Sequence, residues 1–387
     1  MKRGTFILII SLLFENILFS QTIPIDSLYL GQRPPENIPK IFKLSVDSGF
    51  FGAERITISS DGKEIYYSQI KSYFPTTGES IKKYCYSGNK WTGPYDLFDG
   101  FAAPALSVTG DTMYMERSFE TFISLKNGSN WSNPKRILSK LDAAHYFQVT
   151  NNGNYYVSSK PEIGAGACDW CEVIINEPDT TAISLGRPIN TGGDNLDFFV
   201  SRDETYMIFC NPNYGIAVSY HKTDGSWTNP RSLGPKINFG LGMWGACVSS
   251  DNKYLFYTTG TKEDYSDVNV YWVRVDGLID SLKHTNINPY VKTVLPKQTV
   301  TVGQIYSYTI PENTFFDEDS NNQLTYATTL INGTPLPSWL SFNASTKAFS
   351  GTATETGTLI IKVNATDAEN GTAFCPFSLE IISNTKK

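Results

Sequence analysis

Residues 59–68 read SSDGKEIYYS. In isolation, Asp61 and Glu64 beside two tyrosines suggest acid/base chemistry. The stretch recurs, however, as SVTGDTMYME at 107, TNNGNYYVSS at 150, SRDETYMIFC at 201 and SSDNKYLFYT at 249, at intervals of 43 to 51 residues. Each copy has a small residue, a polar turn at the Asp-Gly position and a strand of aromatic or β-branched residues. A second motif keeps phase with it: WTGPYDL at 91, WSNPKRI at 131 and WTNPRSL at 227. The third repeat carries ISLGRPIN at 183 instead, echoed by RSLGPKIN at 231. A period in the forties, built of strands and turns, predicts a β-propeller in which each repeat is a four-stranded blade. The Asp-Gly pair reads as a hairpin turn, because Gly and Asn tolerate the positive φ of tight hairpins. The aromatic positions pack between neighbouring blades, and Trp-x-x-Pro marks an outer edge that Pro protects from further pairing. Five repeats lie between about residue 50 and residue 285. The fold is therefore expected to be all-β, a five- or six-bladed β-propeller followed by a small β-sandwich. An N-terminal strand either closes the ring or completes a sixth blade.

The 387 residues suffice for two or three domains, and an aromatic content of 13% argues against disorder. A net charge of -6, with no long basic stretch, excludes a nucleic-acid partner. MKRGTFILIISLLFENILFSQ (1–21) has a basic start and an apolar run too short to span a bilayer. Residues 1–20 are read as a signal peptide, although Glu15 and Asn16 interrupt the run. No later segment is long and apolar enough for a membrane helix. The expected localisation is therefore export to the periplasm, the cell surface or the medium. The six cysteines are Cys85, Cys168, Cys171, Cys210, Cys247 and Cys375, which an oxidising compartment permits to pair. CDWC at 168–171 lacks further zinc ligands and the βαβ context of thioredoxin-like chemistry, so a structural disulfide or plain thiols are expected.

The propeller domain is expected over 21–285, and most of residues 25–285 resembles exported bacterial proteins with TolB-type, WD-repeat-like propeller repeats. The resemblance rests on YLGQRPPENIPKIF (29–42), the SxDGKxxYY repeats, SYHKTDGSWTNPRSLGPKIN (219–238), and SSDNKYLFYTTG followed by VYWVRVDGLIDSLK. It implies a scaffold for binding without a shared chemistry. The segment KPEIGAGACDWCEV in the third repeat departs from the pattern. From about residue 286 the repeat is lost, and alternation in TVTVGQIYSYTI, QLTYATTL, GTLIIKVNATD and FSLEII predicts a β-sandwich over 286–387. FFDEDSNNQLTYA (315–327), LPSWLSFNASTKAFSGTA (336–353) and IIKVNATDAENGTA (360–373) make it similar to dystroglycan-type cadherin-like or immunoglobulin-like domains. That resemblance implies an adhesive or spacer module and calcium binding. Asp317, Asp319 and Asp367 are the expected ligands, with Glu318 and Glu369 as additions, since calcium takes six to eight hard oxygens. The same acids also serve as loop and turn residues, and that alternative stays open. Trp339 reads as a core anchor.

Catalysis by a propeller requires carboxylates converging on the axis. Glu54, Glu116, Asp142, Asp194 and Asp197 are candidates, but nothing in the sequence singles out a pair. Asp194 and Asp197 in GGDNLDFF read as an inter-blade loop, and His145 as an isolated, structural histidine. The spacing of SSDGKEIY fits no sialidase Asp-box, and no GxSxG occurs. No catalytic residue is therefore assigned. The expected function is a non-catalytic binding or scaffold protein whose propeller face takes a protein, peptide or glycan. The alternative is a carbohydrate-active hydrolase or lyase using acids at the axis.

Overall fold

The computed structural model describes residues 22–176, 179–211, 215–317 and 323–383. The expected signal peptide (1–20), Glu318 and Asp319 lie outside the described residues. The chain divides into two compact units, one built from residues up to 221 with 232–276, the other from 222–231 with 277–387. Among the described residues the only α-helix is Asp276–Lys283, and strands form the rest of the regular framework apart from two 3₁₀ turns.

In the first unit each repeat forms one antiparallel sheet whose first three strands pair in chain order; in the second sheet, of five strands, Asn130–Trp131 and Lys135–Arg136 both pair with Glu120–Asn127. The first sheet comprises Phe51–Ile58, Glu64–Ile70, Ser80–Ser87 and Lys90–Asp99. The last comprises Gly242–Val248, Tyr254–Gly260 and Asn269–Arg274, and its outermost strand is supplied from the N-terminal side by Lys40–Ile41. Lys40 pairs with Trp272 and Ile41 with Tyr271. The N-terminal strand thus supplies the outer edge of this sheet. Phe42 follows it into the core, 5.2 Å from the Phe256 ring and 5.1 Å from that of Trp272. The first strands of successive sheets pack side by side, and Gly242–Val248 of the last packs against Phe51–Ile58 of the first, which is the arrangement of a β-propeller.

The recurring stretch explains these sheets. Ser59 Oγ donates to Asp61 Oδ1 at 2.7 Å and accepts from Glu64 N at 2.9 Å, while Ser59 N and Glu64 O close the hairpin. Ser201 with Asp203 and Ser249 with Asp251 repeat the contact at 2.7 and 2.6 Å. Asp61 is thus a turn residue, as expected. The strand that follows is buried on both faces because a blade lies on each side. Tyr66 packs with Phe101, Leu106 and Met113 towards the second sheet; Tyr67 packs with Phe42, Phe256 and Trp272 towards the last. Fully burying such a side chain contributes about 1.5–3 kcal/mol. Trp91 and Pro94 occupy the outermost strand of the first sheet, where the pairing slips between Lys83 and Cys85. A Pro that cannot donate to a ladder belongs at such an edge.

The second unit holds two stacked sheets of a sandwich. One orders Gln298–Thr301, Thr372–Ile382, Gly357–Thr366 and Thr325–Leu330; the other Ile305–Thr309, Ala348–Thr352 and Leu340–Asn343. Between them Val300, Phe349, Ile361, Val363, Phe377 and Leu379 form the core, with Trp339 packed against it. Gly351 is required there, since a Cβ would lie 1.9 Å from the Trp339 carbonyl oxygen.

Candidate functional site

Four of the five first strands break register near their N-terminal ends. The slips fall between Ala53 and Thr57, Ala102 and Ala105, His145 and Gln148, and Trp244 and Cys247. Each contains a residue of positive φ: Glu54 (+61°), Ala103 (+52°), Tyr146 (+57°) and Gly245 (+61°). A bulge of this kind bends the strand and re-aims a side chain. Here the bulges gather residues from separate blades at one end of the axis.

His145 stands at the centre. Its Nε2 lies 3.0 Å from Asp197 Oδ1, and its Nδ1 is 2.6 Å from Glu116 Oε2, a close ionic approach out of line for a hydrogen bond. Asp197 Oδ2 accepts the Gly245 amide at 2.8 Å, and Glu116 Oε2 accepts the Tyr146 amide at 3.2 Å. Glu54 accepts one hydrogen bond from Tyr73 Oη, at 2.7 Å, and another from Tyr146 Oη. Arg55, 3% exposed, lies over the Tyr146 ring at 4.3 Å and donates to the Phe198 carbonyl at 2.6 Å.

Burial sets the electrostatics. Desolvation, reinforced by the charges of Asp197 and Glu116, pushes the Glu54 carboxyl up to about 7 against the two tyrosine hydrogen bonds. For His145 burial works against the charge, yet Glu116 and Asp197 overcome it and raise the imidazole to about 10. Near neutral pH the cluster therefore contains the His145 imidazolium against Glu116 and Asp197 and, beside it, a Glu54 carboxyl poised to gain or lose a proton.

Above the cluster is an aromatic shelf. Trp244 stacks on Tyr73 at 4.7 Å and 19°, Tyr73 stacks on Phe51 at 5.8 Å, and Tyr265 meets Trp244 edge-on at 5.3 Å. Phe74, 68% exposed, extends the shelf into solvent. Beside it opens a cavity of about 330 Å³ lined by Asp194, Leu196, Asp197, Cys210, Met243 and Trp244.

The structure revises several sequence expectations. His145 is not isolated, and Asp197 faces the cluster rather than serving only as a loop residue. Glu54, Glu116 and Asp197 converge, Asp194 lines the adjoining cavity, and Asp142 is exposed and takes no part in the cluster. The usable signal was phase: Glu54, His145 and Trp244 each stand five residues before a repeat, and Asp197 four before. All six cysteines are free thiols. Burial raises Cys168 and lifts Cys171 to about 12, which makes these thiols inert. In the irregular third repeat, Asp169 holds the backbone amides of Ala165 and Gly166 at 2.7 and 3.0 Å.

In the sandwich, Asp317 and Asp367 are buried. Asp367 Oδ1 accepts the amides of Glu369 and Gly371 at 2.9 and 2.7 Å, and Oδ2 accepts from Asn286 Nδ2 at 2.9 Å. Gly371 leaves a cradle that a Cβ would fill, 2.3 Å from Asp367 Oδ2 and 2.4 Å from Asn288 Oδ1. Asn286 Oδ1 is buried there with no hydrogen-bond partner among the described residues. Among the described residues no three His, Cys, Asp or Glu side chains gather as a metal-holding group. No described helix is long and apolar enough to cross a membrane.

Residues 288–382 match the family model described as "Putative Ig domain". No curated protein matches the chain. Among solved structures, TolB from Acinetobacter baumannii aligns over 60% of this chain and 56% of its own, at 15% identity and a TM-score of 0.38. The extracellular domain of a hybrid two-component system protein from B. thetaiotaomicron aligns over 88% of this chain and 46% of its own, at 11% identity and a TM-score of 0.33. A GH43_1 enzyme from Xanthomonas citri aligns over 62% and 91%, at 9% identity and a TM-score of 0.38. This chain thus spans about half the length of the first two. At TM-scores below 0.5 these likenesses carry no inference about activity. The chain combines a β-propeller architecture with an Ig-like domain, a pairing that fits a binding or scaffold role.

Proposed function

We propose that the chain is an exported glycan-binding protein: a five-bladed propeller, closed by the N-terminal strand, takes a saccharide at the Trp244 mouth, and the Ig-like sandwich serves as a spacer or adhesion module. The observation that carries this reading is the shelf of Tyr73, Phe74, Trp244 and Tyr265 beside a cavity floored by Asp197. Flat aromatic faces supply apolar area to sugar rings, and fixed carboxylates accept hydroxyl hydrogens. In the sandwich, Asp317, Asp319 and Asp367 with Asn286 and Asn288 hold calcium, which stabilises that unit. Glycan-array screening of the full chain tests the proposal. Trp244→Ala is expected to weaken the best ligand on the order of tenfold or more while leaving the circular dichroism unchanged. Equal binding by both forms refutes the glycan mouth, and capture of peptides alone assigns the face to protein recognition.

A second reading, glycoside hydrolysis or elimination, is favoured by one observation: the Glu54 carboxyl, pushed up to about 7, sits in one cluster with Asp197 and the imidazolium of His145. It predicts product release from the glycan that binds, lost in Glu54→Gln without loss of binding. Intact glycan after prolonged incubation with the wild-type chain removes this reading.

A further inference from the structure

The opposite mouth of the same axis has the opposite charge. At the C-terminal ends of the first strands lies a cavity of about 70 Å³, walled by Ile58, Leu106, Phe199 and Phe256, with Ser249 and Asn252 on its polar side. Arg55 and Arg202 both line it. Arg202 donates to the carbonyls of Val149 and Leu106 at 2.8 and 2.7 Å, and Arg55 to that of Phe198. Neither guanidinium forms an ion pair with a carboxylate among the described residues. The Nε of Arg55 is buried there with no hydrogen-bond partner among those residues. Asp197 and Glu116 act on Arg55 as nearby charges, without an ion pair. Asp251, on the turn beside the cavity, is engaged with Ser249 Oγ at 2.6 Å and Lys253 Nζ at 3.3 Å.

Two guanidiniums offer ten N–H donors between them, in planar forks suited to oxyanions, and carbonyl acceptors here use only part of that capacity. A buried cation without a direct ion-pair partner is costly, and each arginine also opposes its neighbour's charge. The apolar walls exclude a hydrated ion and admit a small anion with an organic flank. We propose that this mouth is a carboxylate-binding site, in which Arg55 and Arg202 receive one carboxylate of about acetate size while Ile58, Leu106, Phe199 and Phe256 surround the carbon that bears it. The carboxylate belongs either to a small free acid or to the end of a peptide chain.

Thermal melting and calorimetric titration of the full chain with sodium acetate, against sodium chloride at matched ionic strength, test the site. Acetate is expected to raise Tm saturably and chloride is not. Arg202→Gln is expected to lower acetate affinity roughly tenfold or more. Ser250→Trp, at an exposed rim position, is expected to block acetate without touching either arginine, which keeps the test decisive if Arg202→Gln fails to fold. A short peptide with a free C-terminus that binds more tightly than its amide, and competes with acetate, assigns the carboxylate to a chain end. Acetate binding without such a peptide effect assigns it to a small acid. Equal effects of acetate and chloride, or undiminished acetate binding in Ser250→Trp, overturn the proposal.

Discussion

Glu54 and His145 acquire their chemistry from burial beside one another's partners. The carboxyl is raised from 4.5 to about 7 and the imidazole from 6.5 to about 10, so in both cases the folded chain binds protons that the unfolded chain has released. Stability therefore falls as pH rises, through 4.5–7 for Glu54 and through 6.5–10 for His145. Thermal melts from pH 5 to 9 are expected to show a steadily declining Tm. Glu54→Gln flattens the acid half of that decline and His145→Gln the alkaline half; a Tm that rises over this range contradicts the assignment. The same residue-level logic governs the turns. Gly62, Gly110 and Gly153 hold φ of +73°, +75° and +81° at the same place in three repeats, where Glu204 and Asn252 accept +60° and +58° in the others. Gly62→Ala is expected to cost about 1 kcal/mol, read as a lowered urea midpoint, and Asn252→Gly is expected to cost less than that or to stabilise.

At the scale of the element, the bulged first strand converts a repeat into a site. Gly245 has φ +61°, and a Cβ on it would lie 2.2 Å from the Glu54 carbonyl carbon. The first and last sheets thus approach as closely as backbone permits, and this brings the Gly245 amide onto Asp197. Gly245→Ala is expected to cost about 3 kcal/mol or more, measured by chemical denaturation, and to weaken binding at the Trp244 mouth. The strand Lys40–Ile41 has a different role. It covers the edge of Asn269–Arg274 and carries Phe42 and Tyr29 onto Trp272. Deleting residues 22–46 is expected to expose that edge and produce aggregated protein, detected by size-exclusion chromatography. A monomeric, cooperatively melting product would show that the strand is dispensable.

Over the whole molecule, the propeller-type unit concentrates acidic groups and aromatic faces at one end of its axis and two arginines at the other. In the sandwich, oxygens of Asp367 and Asn288 lie around Gly371, where the calcium site is proposed. If calcium binds there, a chelator lowers the Tm of the transition arising from residues 277–387 and leaves the melting of the other unit unchanged. Differential scanning calorimetry of the full chain with and without calcium distinguishes these outcomes, and two unaltered transitions reject the calcium site.

The fold was legible because its signals are local. A Ser, a turn residue and an aromatic pair at intervals of 43 to 51 residues specify hairpins, and hairpins stacked on both faces must bury Tyr66 and Tyr67 alike. The alternation after residue 286 likewise follows from one buried face per strand. A structural role for an N-terminal strand was legible, whereas its partner, the edge of Asn269–Arg274, was not. The functional cluster was not. Glu54, Glu116, His145 and Asp197 are spread over 144 residues of chain and share no motif. Only closure of the ring brings their blades together, and only the bulges turn their side chains to one point. The rise of the Glu54 carboxyl to about 7 and the burial of the Arg55 guanidinium without an ion-pair partner are products of that packing, since both depend on which atoms exclude water around the group. By itself the sequence determined the repeats, turns and domain classes, because these follow from neighbours along the chain. Tertiary structure alone decided which charges meet, because Coulomb energy and desolvation depend on distance and burial in space.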